Sequence, residues 1–231
     1  MLAVLLFGAS AAAQAPTLTP EDRTAIQGLV TGYARALSAC NFEEYADLFA
    51  PETGSFSSGI RGRVVGRERL IALIQSERQC ITAPGTAPAA PRPGGGTGPT
   101  VAIEVTPTGV RGIADLGGAG SYQDEYVKTP KGWKFQARTV LTPAEKTAGL
   151  DAAEMLAIQR LAGSDLADYY VPDQNGVKRL RTSGVAIAVT GGVISGKAYL
   201  KTGGYYDDVY EKTGPGQWRI KSRNLVPATT P

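Results

Sequence analysis

One long phrase occurs twice in this chain, and that repetition constrains the fold more than any other feature. Residues 120–141 read GSYQDEYVKTPKGWKFQARTVL, and residues 204–226 read GYYDDVYEKTGPGQWRIKSRNLV. Each is an alternating strand, a Gly/Pro turn and a second alternating strand around a tryptophan, the pattern of a β-hairpin. The order Tyr-x-Asp-x-Tyr-x-Lys-Thr is kept from Tyr122 to Thr129 and from Tyr206 to Thr213, and Trp133 and Arg138 return as Trp218 and Arg223. A period of two puts Tyr122, Asp124 and Tyr126 on one face of the first strand. The same period puts Lys134, Gln136 and Arg138 on one face of the second strand and Trp133, Phe135 and Ala137 on the other.

The repetition extends beyond the hairpins. Val101, Ala102, Ile103 and Val105 recur as Val185, Ala186, Ile187 and Val189, and Val110, Gly112, Ala114 and Leu116 recur as Ile194, Gly196, Ala198 and Leu200. A helical tag, Ala25-Ile26-Gln27-x-Leu29, returns as Ala157-Ile158-Gln159-x-Leu161. From Ile26 to Val101 the first copy runs 75 residues, whereas from Ile158 to Val185 the second runs 27. The second copy therefore lacks two helices that the first has room for. About four strands carrying one helix leave an apolar face uncovered, so the second copy is expected to pack on the first. Val177 to Thr190 is expected to be strand.

Within the first copy, Thr19-Pro20-Glu21-Asp22 starts a helix, with Thr19 as N-cap, Pro20 at the first helical position and acids in the first turn. Ile26, Leu29, Val30, Tyr33 and Leu37 form its apolar face. Asn41 caps a second short helix from Phe42, Ser55 to Val65 reads as one or two strands, and Gly66-Arg67-Glu68 opens a third helix. Residues 82–99, rich in Pro and Gly without periodicity, read as a disordered loop. Ahead of all this, residues 1–15 carry an apolar run and the small-x-small pattern Ala13-Gln14-Ala15. This predicts a signal peptide cleaved after Ala15 and a periplasmic or secreted protein, although no Lys or Arg precedes the run. No later stretch is long and apolar enough for a membrane span, so no membrane association is expected after cleavage.

Composition excludes whole classes of chemistry. There is no histidine, which removes Ser-His-Asp and Cys-His catalysis and His-ligated metals. No metal or other cofactor is expected. A net charge of +3 without a basic run does not point to nucleic acid. The two cysteines, Cys40 and Cys80, cannot make a zinc site on their own. In an exported protein they are most simply one disulfide, the alternative being two buried thiols.

Leu48-Phe49-Ala50-Pro51, Gly66-Arg67-Glu68 and Tyr122-Gln123-Asp124-Glu125-Tyr126 with Gly132-Trp133, in this order, resemble the SnoaL-like branch of the nuclear transport factor 2-like superfamily. The resemblance implies an α+β fold, a cone in which a curved antiparallel sheet wraps helices around a pocket, over residues 17–143. A truncated repeat of mainly its strand half then occupies residues 151–231. Families resembling this one include polyketide cyclases, scytalone dehydratase, ketosteroid isomerase and lindane dehydrochlorinase, which abstract a proton from carbon or carry out elimination in that pocket. The resemblance also implies that a homodimer through the outer sheet face is possible.

The chain departs from the catalytic members where they need a base. Their Asp near the end of the first helix is Ser38 here, and a Gly94-Gly95-Gly96 run stands where some have a His. By the same resemblance Tyr33, Ser38, Tyr122, Asp124 and Arg138 line the pocket. Two readings stay open. In one, Asp124 is a base and Arg138 an oxyanion partner in an isomerase, cyclase or lyase. In the other, Asp124 and Arg138 form a cross-strand ion pair, and the pocket binds a small apolar or carbonyl-containing molecule without catalysis. Recurrence of the pair as Asp208 and Arg223, in the half without pocket helices, favours the second.

Overall fold

The computed structural model describes residues 17–77, 80, 98–173 and 175–228. The expected signal peptide and nearly all of the Pro/Gly loop at 82–99 lie outside the described residues.

Helix α1 (Pro20–Ala39) starts where its capping residues put it. The Thr19 hydroxyl accepts from the Asp22 amide, and the Asp22 carboxylate accepts from the Thr19 amide, both at 3.2 Å. The helix stops at Cys40, which takes the left-handed conformation (φ 53°) that ends a helix by turning its N–H back to the last carbonyls. Helix α2 (Phe42–Asp47), capped by Asn41, and helix α3 (Arg67–Gln75) flank strands β1 (Ser55–Ser58) and β2 (Gly62–Val65). A Cys40–Cys80 disulfide, Cα–Cα 5.5 Å, ties the end of α1 to the segment beyond α3.

Strands β3 (Val101–Thr106), β4 (Gly109–Asp115), β5 (Ser121–Thr129) and β6 (Gly132–Leu141) form an antiparallel run, and β1 pairs parallel with β6. Helices α4 (Pro143–Thr147) and α5 (Ala152–Leu161) lead to β7 (Asp168–Pro172), β8 (Lys178–Ser183), β9 (Val185–Thr190), β10 (Val193–Tyr199), β11 (Tyr205–Gly214) and β12 (Gln217–Val226). The stretch expected as strand from 177 is strand from 178 to 190 with a break at Gly184, whose φ of +82° starts a new strand in a new direction. One sheet has eight strands, ordered β3-β4-β5-β6-β1-β2-β8-β7, and the other has four, ordered β12-β11-β10-β9. The repeat is thus visible as two meanders of identical order, β3 to β6 and β9 to β12.

The face assignment read from strict alternation needs correction. Glu125 pairs with Ala137 but Tyr126 pairs with Phe135, so Gln136 is an extra residue in β6. This bulge flips the register, and Arg138 lies on the same face as Phe135, with its guanidinium 4.1 Å from the Phe135 ring centre. The second copy carries the same device: Val209 pairs with Ser222 and Tyr210 with Ile220. One further feature recurs for a steric reason. A Cβ at Gly112 would come within 2.7 Å of the Tyr126 hydroxyl, and one at Gly196 within 2.9 Å of the Tyr210 ring, so each tyrosine needs a glycine on the strand beside it.

Two apolar cores result. The first packs α1 (Ile26, Val30, Tyr33), α2, α3 and the inner face of β3–β6. The second packs Met155, Ile158 and Ala162 of α5 against Ile187, Ile194, Ala198 and Tyr210, with Leu141 at the seam. The second copy does not lay its sheet on the outer face of the first. Its strands β7 and β8 extend the first sheet through β2, with Gly62 facing Ser183, and helix α5 stands between the two meanders. Helix α5 serves its own core with one face and turns the other, Leu156 and Gln159, toward the first sheet.

Candidate functional site

Four of the five residues proposed for the pocket meet at one point. Arg138 donates from Nε to Asp124 Oδ1 at 2.8 Å and from Nη2 to Asp124 Oδ2 at 2.7 Å. Both side chains are fully buried. The Tyr126 hydroxyl donates to Asp124 Oδ2 at 2.9 Å. The guanidinium carbon lies 4.1 Å from the Tyr33 ring centre and 4.2 Å from that of Tyr122, so the cation is boxed by aromatic faces. Its Nη1 has no hydrogen-bond partner among the described residues. Burial disfavours the charged guanidinium, but the Asp124 carboxylate outweighs it and holds Arg138 above its ordinary value. Burial, then the Asp124 charge, raises the Tyr126 hydroxyl well out of the physiological range, and burial does the same for Tyr33. Ser38 sits half-buried near the end of α1 and makes no hydrogen bond to this group.

The same centre is built again in the second copy. Arg223 donates from Nε and Nη2 to Asp208 at 2.7 Å each, and the Tyr210 hydroxyl donates to Asp208 at 3.0 Å. Tyr206, at 4.3 Å, takes the place of Tyr122. In place of further rings, the Ala162 carbonyl at the end of α5 accepts from Arg223 at 3.1 Å.

A second repeated node escaped the sequence reading. Asp22 Oδ1, in the first turn of α1, accepts from Trp133 Nε1 at 2.7 Å and from Lys128 Nζ at 2.8 Å. Glu154, in the first turn of α5, accepts from Trp218 Nε1 and from Lys212 Nζ. Each helix is thereby pinned to the turn end of its own hairpin. Lys128, then Trp133, hold the Asp22 carboxyl far below the usual carboxylate range. Burial would raise Glu154, but Lys212, the Gly216 amide and Trp218 together lower it. The signal was present in the sequence: an acid in the first turn of each tagged helix, and a Lys and a Trp kept in each hairpin.

The open space is on the other side of the first sheet. A cleft of about 570 Å³ lies between the outer face of β3–β6, β1 and helix α5. Ile113, Ala137 and Leu156 supply apolar wall, and Ser57, Gln123 and Gln159 supply polar groups. Two hydrogen bonds hold α5 at this distance: Gln159 Nε2 donates to Ser57 Oγ at 3.0 Å, and the Ala152 amide donates to Gln123 Oε1 at 2.8 Å. Among the described residues no group of His, Cys, Asp and Glu is placed to hold a metal ion.

Residues 19–139, more than half of the chain, match the profile of the SnoaL-like domain. The chain belongs to the SnoaL-like family. No curated protein matches it. Among solved structures, a protein of unknown function from Mycobacterium tuberculosis is 19% identical, with TM-score 0.38, over 63% of this chain and 96% of its own. An NTF2-like protein with a cystatin-like fold from Novosphingobium aromaticivorans is 21% identical, with TM-score 0.37, over 55% and 88%. A domain of unknown function with a cystatin-like fold from Nostoc punctiforme is 14% identical, with TM-score 0.38, over 62% and 96%. The SnoaL-like match ends at residue 139, two positions short of the end of β6. The structural meander of β9–β12 lies wholly beyond it. In this SnoaL-like protein the position the family resemblance gives to a base is Ser38, and the carboxylate that does sit inside the cone is already in an ion pair.

Proposed function

We propose that this is an exported binding protein that holds a small molecule without turning it over, and that the molecule occupies the cleft between the outer sheet face and α5. The observation that carries the reading is the state of Asp124. A general base needs a carboxylate oxygen within reach of the proton it removes. Here Oδ1 is committed to Arg138, Oδ2 to Arg138 and Tyr126, and neither side chain meets solvent. An identical pair in the second copy, Asp208 with Arg223, fits a device that holds a meander together. The isomerase, cyclase or lyase reading would need Asp124 released from both partners. Rings of Tyr33, Tyr122 and Phe135 fill the space around Arg138, while the cleft has the volume and the mixed lining of a small-molecule site. The disulfide fits an oxidising compartment, and no helix among the described residues is long and apolar enough to cross a membrane.

Native mass spectrometry of the protein purified from its own host tests this. We expect a retained small molecule that is lost when Ala153, an exposed residue on the cleft wall, becomes Trp. A ligand that survives Ala153→Trp, or a protein that is empty in every preparation, refutes the assignment to the cleft.

A further inference from the structure

The cleft continues past α5. Beyond Leu156 and Gln159 it meets a second hollow of about 360 Å³, bounded by β2, α3, β8 and the last turn of α5. Arg63, Leu156 and Gln159 line both spaces, so the two form one trough with a shared waist.

Three arginines border the far hollow: Arg63 from β2, Arg69 from α3 and Arg160 from α5. One carboxylate, Asp168, accompanies them among the lining residues, and it is taken by Arg69, which also reaches Ser183. The side chains of Arg63 and Arg160 have no ion pair and no hydrogen bond among the described residues. Arg63 is half-buried, and burial, followed by the charges of Arg160 and Arg69, pushes its proton affinity down. Like charges gathered in a partly dry hollow repel one another, and the described residues supply no ion pair for two of the three. The other end of the trough differs: Arg111 lies 3.8 Å from Glu125, and the middle is walled by Ile113, Ala137 and Leu156. The trough is therefore polarised, with an apolar wall of Ile113, Ala137 and Leu156 in its middle and unpaired cations at one end only.

We propose that the trough binds an elongated amphipathic anion, with a carboxylate or phosphate head held by Arg63 and Arg160 and an apolar body lying along Ile113, Ala137 and Leu156. The proposal rests on the reading that the cleft is the ligand site. Guanidinium groups are the side chains best suited to such heads, because their N–H groups form paired, charge-assisted hydrogen bonds to planar or tetrahedral oxyanions. Arg63 belongs to the first copy and Arg160 to the second. The head site exists only where the copies meet, so the truncated repeat supplies half of it as well as one wall of the cleft.

The test is calorimetric titration of the chain from Pro16 with three probes of one shape: 2-naphthoate, 2-naphthyl phosphate and neutral 2-naphthamide. We expect one or both anions to bind about ten-fold or more tightly than the amide, the worth of one charge-assisted contact, and the two anions to tell carboxylate from phosphate. Arg63→Gln with Arg160→Gln should erase that preference and leave the affinity for 2-naphthamide unchanged. Arg160→Gln alone, at an exposed position, should reduce the preference in a protein whose fold is undisturbed. Equal affinity for all three probes in the unaltered protein would overturn the anion site and leave the cleft reading standing. Anion affinity that survives the double substitution would also overturn it. Binding of none of the probes would overturn both readings.

Discussion

The sharpest consequence of the cone interior is a difference between two chemically identical substitutions. Asp124→Asn leaves Arg138 with its full charge, no carboxylate and no exposure to solvent. Stranding one member of a buried pair costs roughly 3–5 kcal/mol. Asp208→Asn strands Arg223, but that side chain is 29% exposed and keeps the Ala162 carbonyl as an acceptor. Its loss should be closer to that of a single hydrogen bond to a charged group, about 1.5–3 kcal/mol. For a chain of this length each kcal/mol moves the melting temperature by roughly 2–4 °C, so Asp124→Asn should lower Tm by about 6–20 °C and Asp208→Asn by distinctly less. Replacing both members of the first pair, Asp124→Leu with Arg138→Met, removes the stranded charge and should recover most of the loss, because an apolar pair of similar volume is often no worse than a buried ion pair. Thermal melts followed by circular dichroism, with urea titrations for the free energies, measure all four proteins. A larger loss at Asp208 than at Asp124, or a double variant no better than Asp124→Asn, would refute the claim that the pair is a structural element of the first meander.

Two further outcomes follow from the covalent and ionic ties. The Cys40–Cys80 bond spans 40 residues and should contribute roughly 4 kcal/mol on chain-entropy grounds. Denatured, unreduced protein should titrate with no free thiol, and reduction should lower the urea midpoint. The Asp22 carboxyl is held low in the folded state by Lys128 and then Trp133. Its contribution is therefore complete above the unfolded carboxyl value, near pH 4, and is lost progressively as the pH falls below it. Asp22→Asn should flatten the acid limb of the stability profile between about pH 4 and pH 2 relative to the unaltered chain, as read from urea midpoints at successive pH values.

Much of this architecture was legible because the signals were local or duplicated. Thr19-Pro20-Glu21-Asp22 announces α1 through capping chemistry that involves neighbours three residues apart. The meanders announce themselves by alternation, and each supports the other. What was not legible depends on long-range or one-residue geometry. Gln136 and Lys221 enter their strands as extra residues without any change in composition, yet each moves an arginine across the sheet. Nothing in β7 or β8 indicates that these strands leave their own copy to extend β2. The cleft was hidden for the same reason: Gln159 and Ser57 are 102 positions apart, and their hydrogen bond sets the gap between helix and sheet. Asp22 and Trp133 were each noticed, one as a helix-start acid and the other as a hairpin marker, but the bond between them spans 111 positions.

The two copies retain the same inward chemistry and differ in what they turn outward. Inside, each keeps a carboxylate gripped by arginine and tyrosine, a glycine on the neighbouring strand against that tyrosine, and a helix-start acid on a lysine and a tryptophan. Those features act within one meander and are indifferent to what lies beyond it. The helical tag shows the divergence most clearly. Gln27 turns its amide to the chain entering β3, bonding Pro99 and Val101, whereas Gln159, at the matching position, bonds Ser57 of the other copy. One residue type at one helical position serves closure of a sheet edge in the first half and spacing between the halves in the second. The surface created by that second use carries Arg63 and Arg160, whose side chains have no partner among the described residues. Specific recognition in this protein is accordingly expected at the seam between the copies, where the duplication placed side chains whose hydrogen bonds neither copy completes.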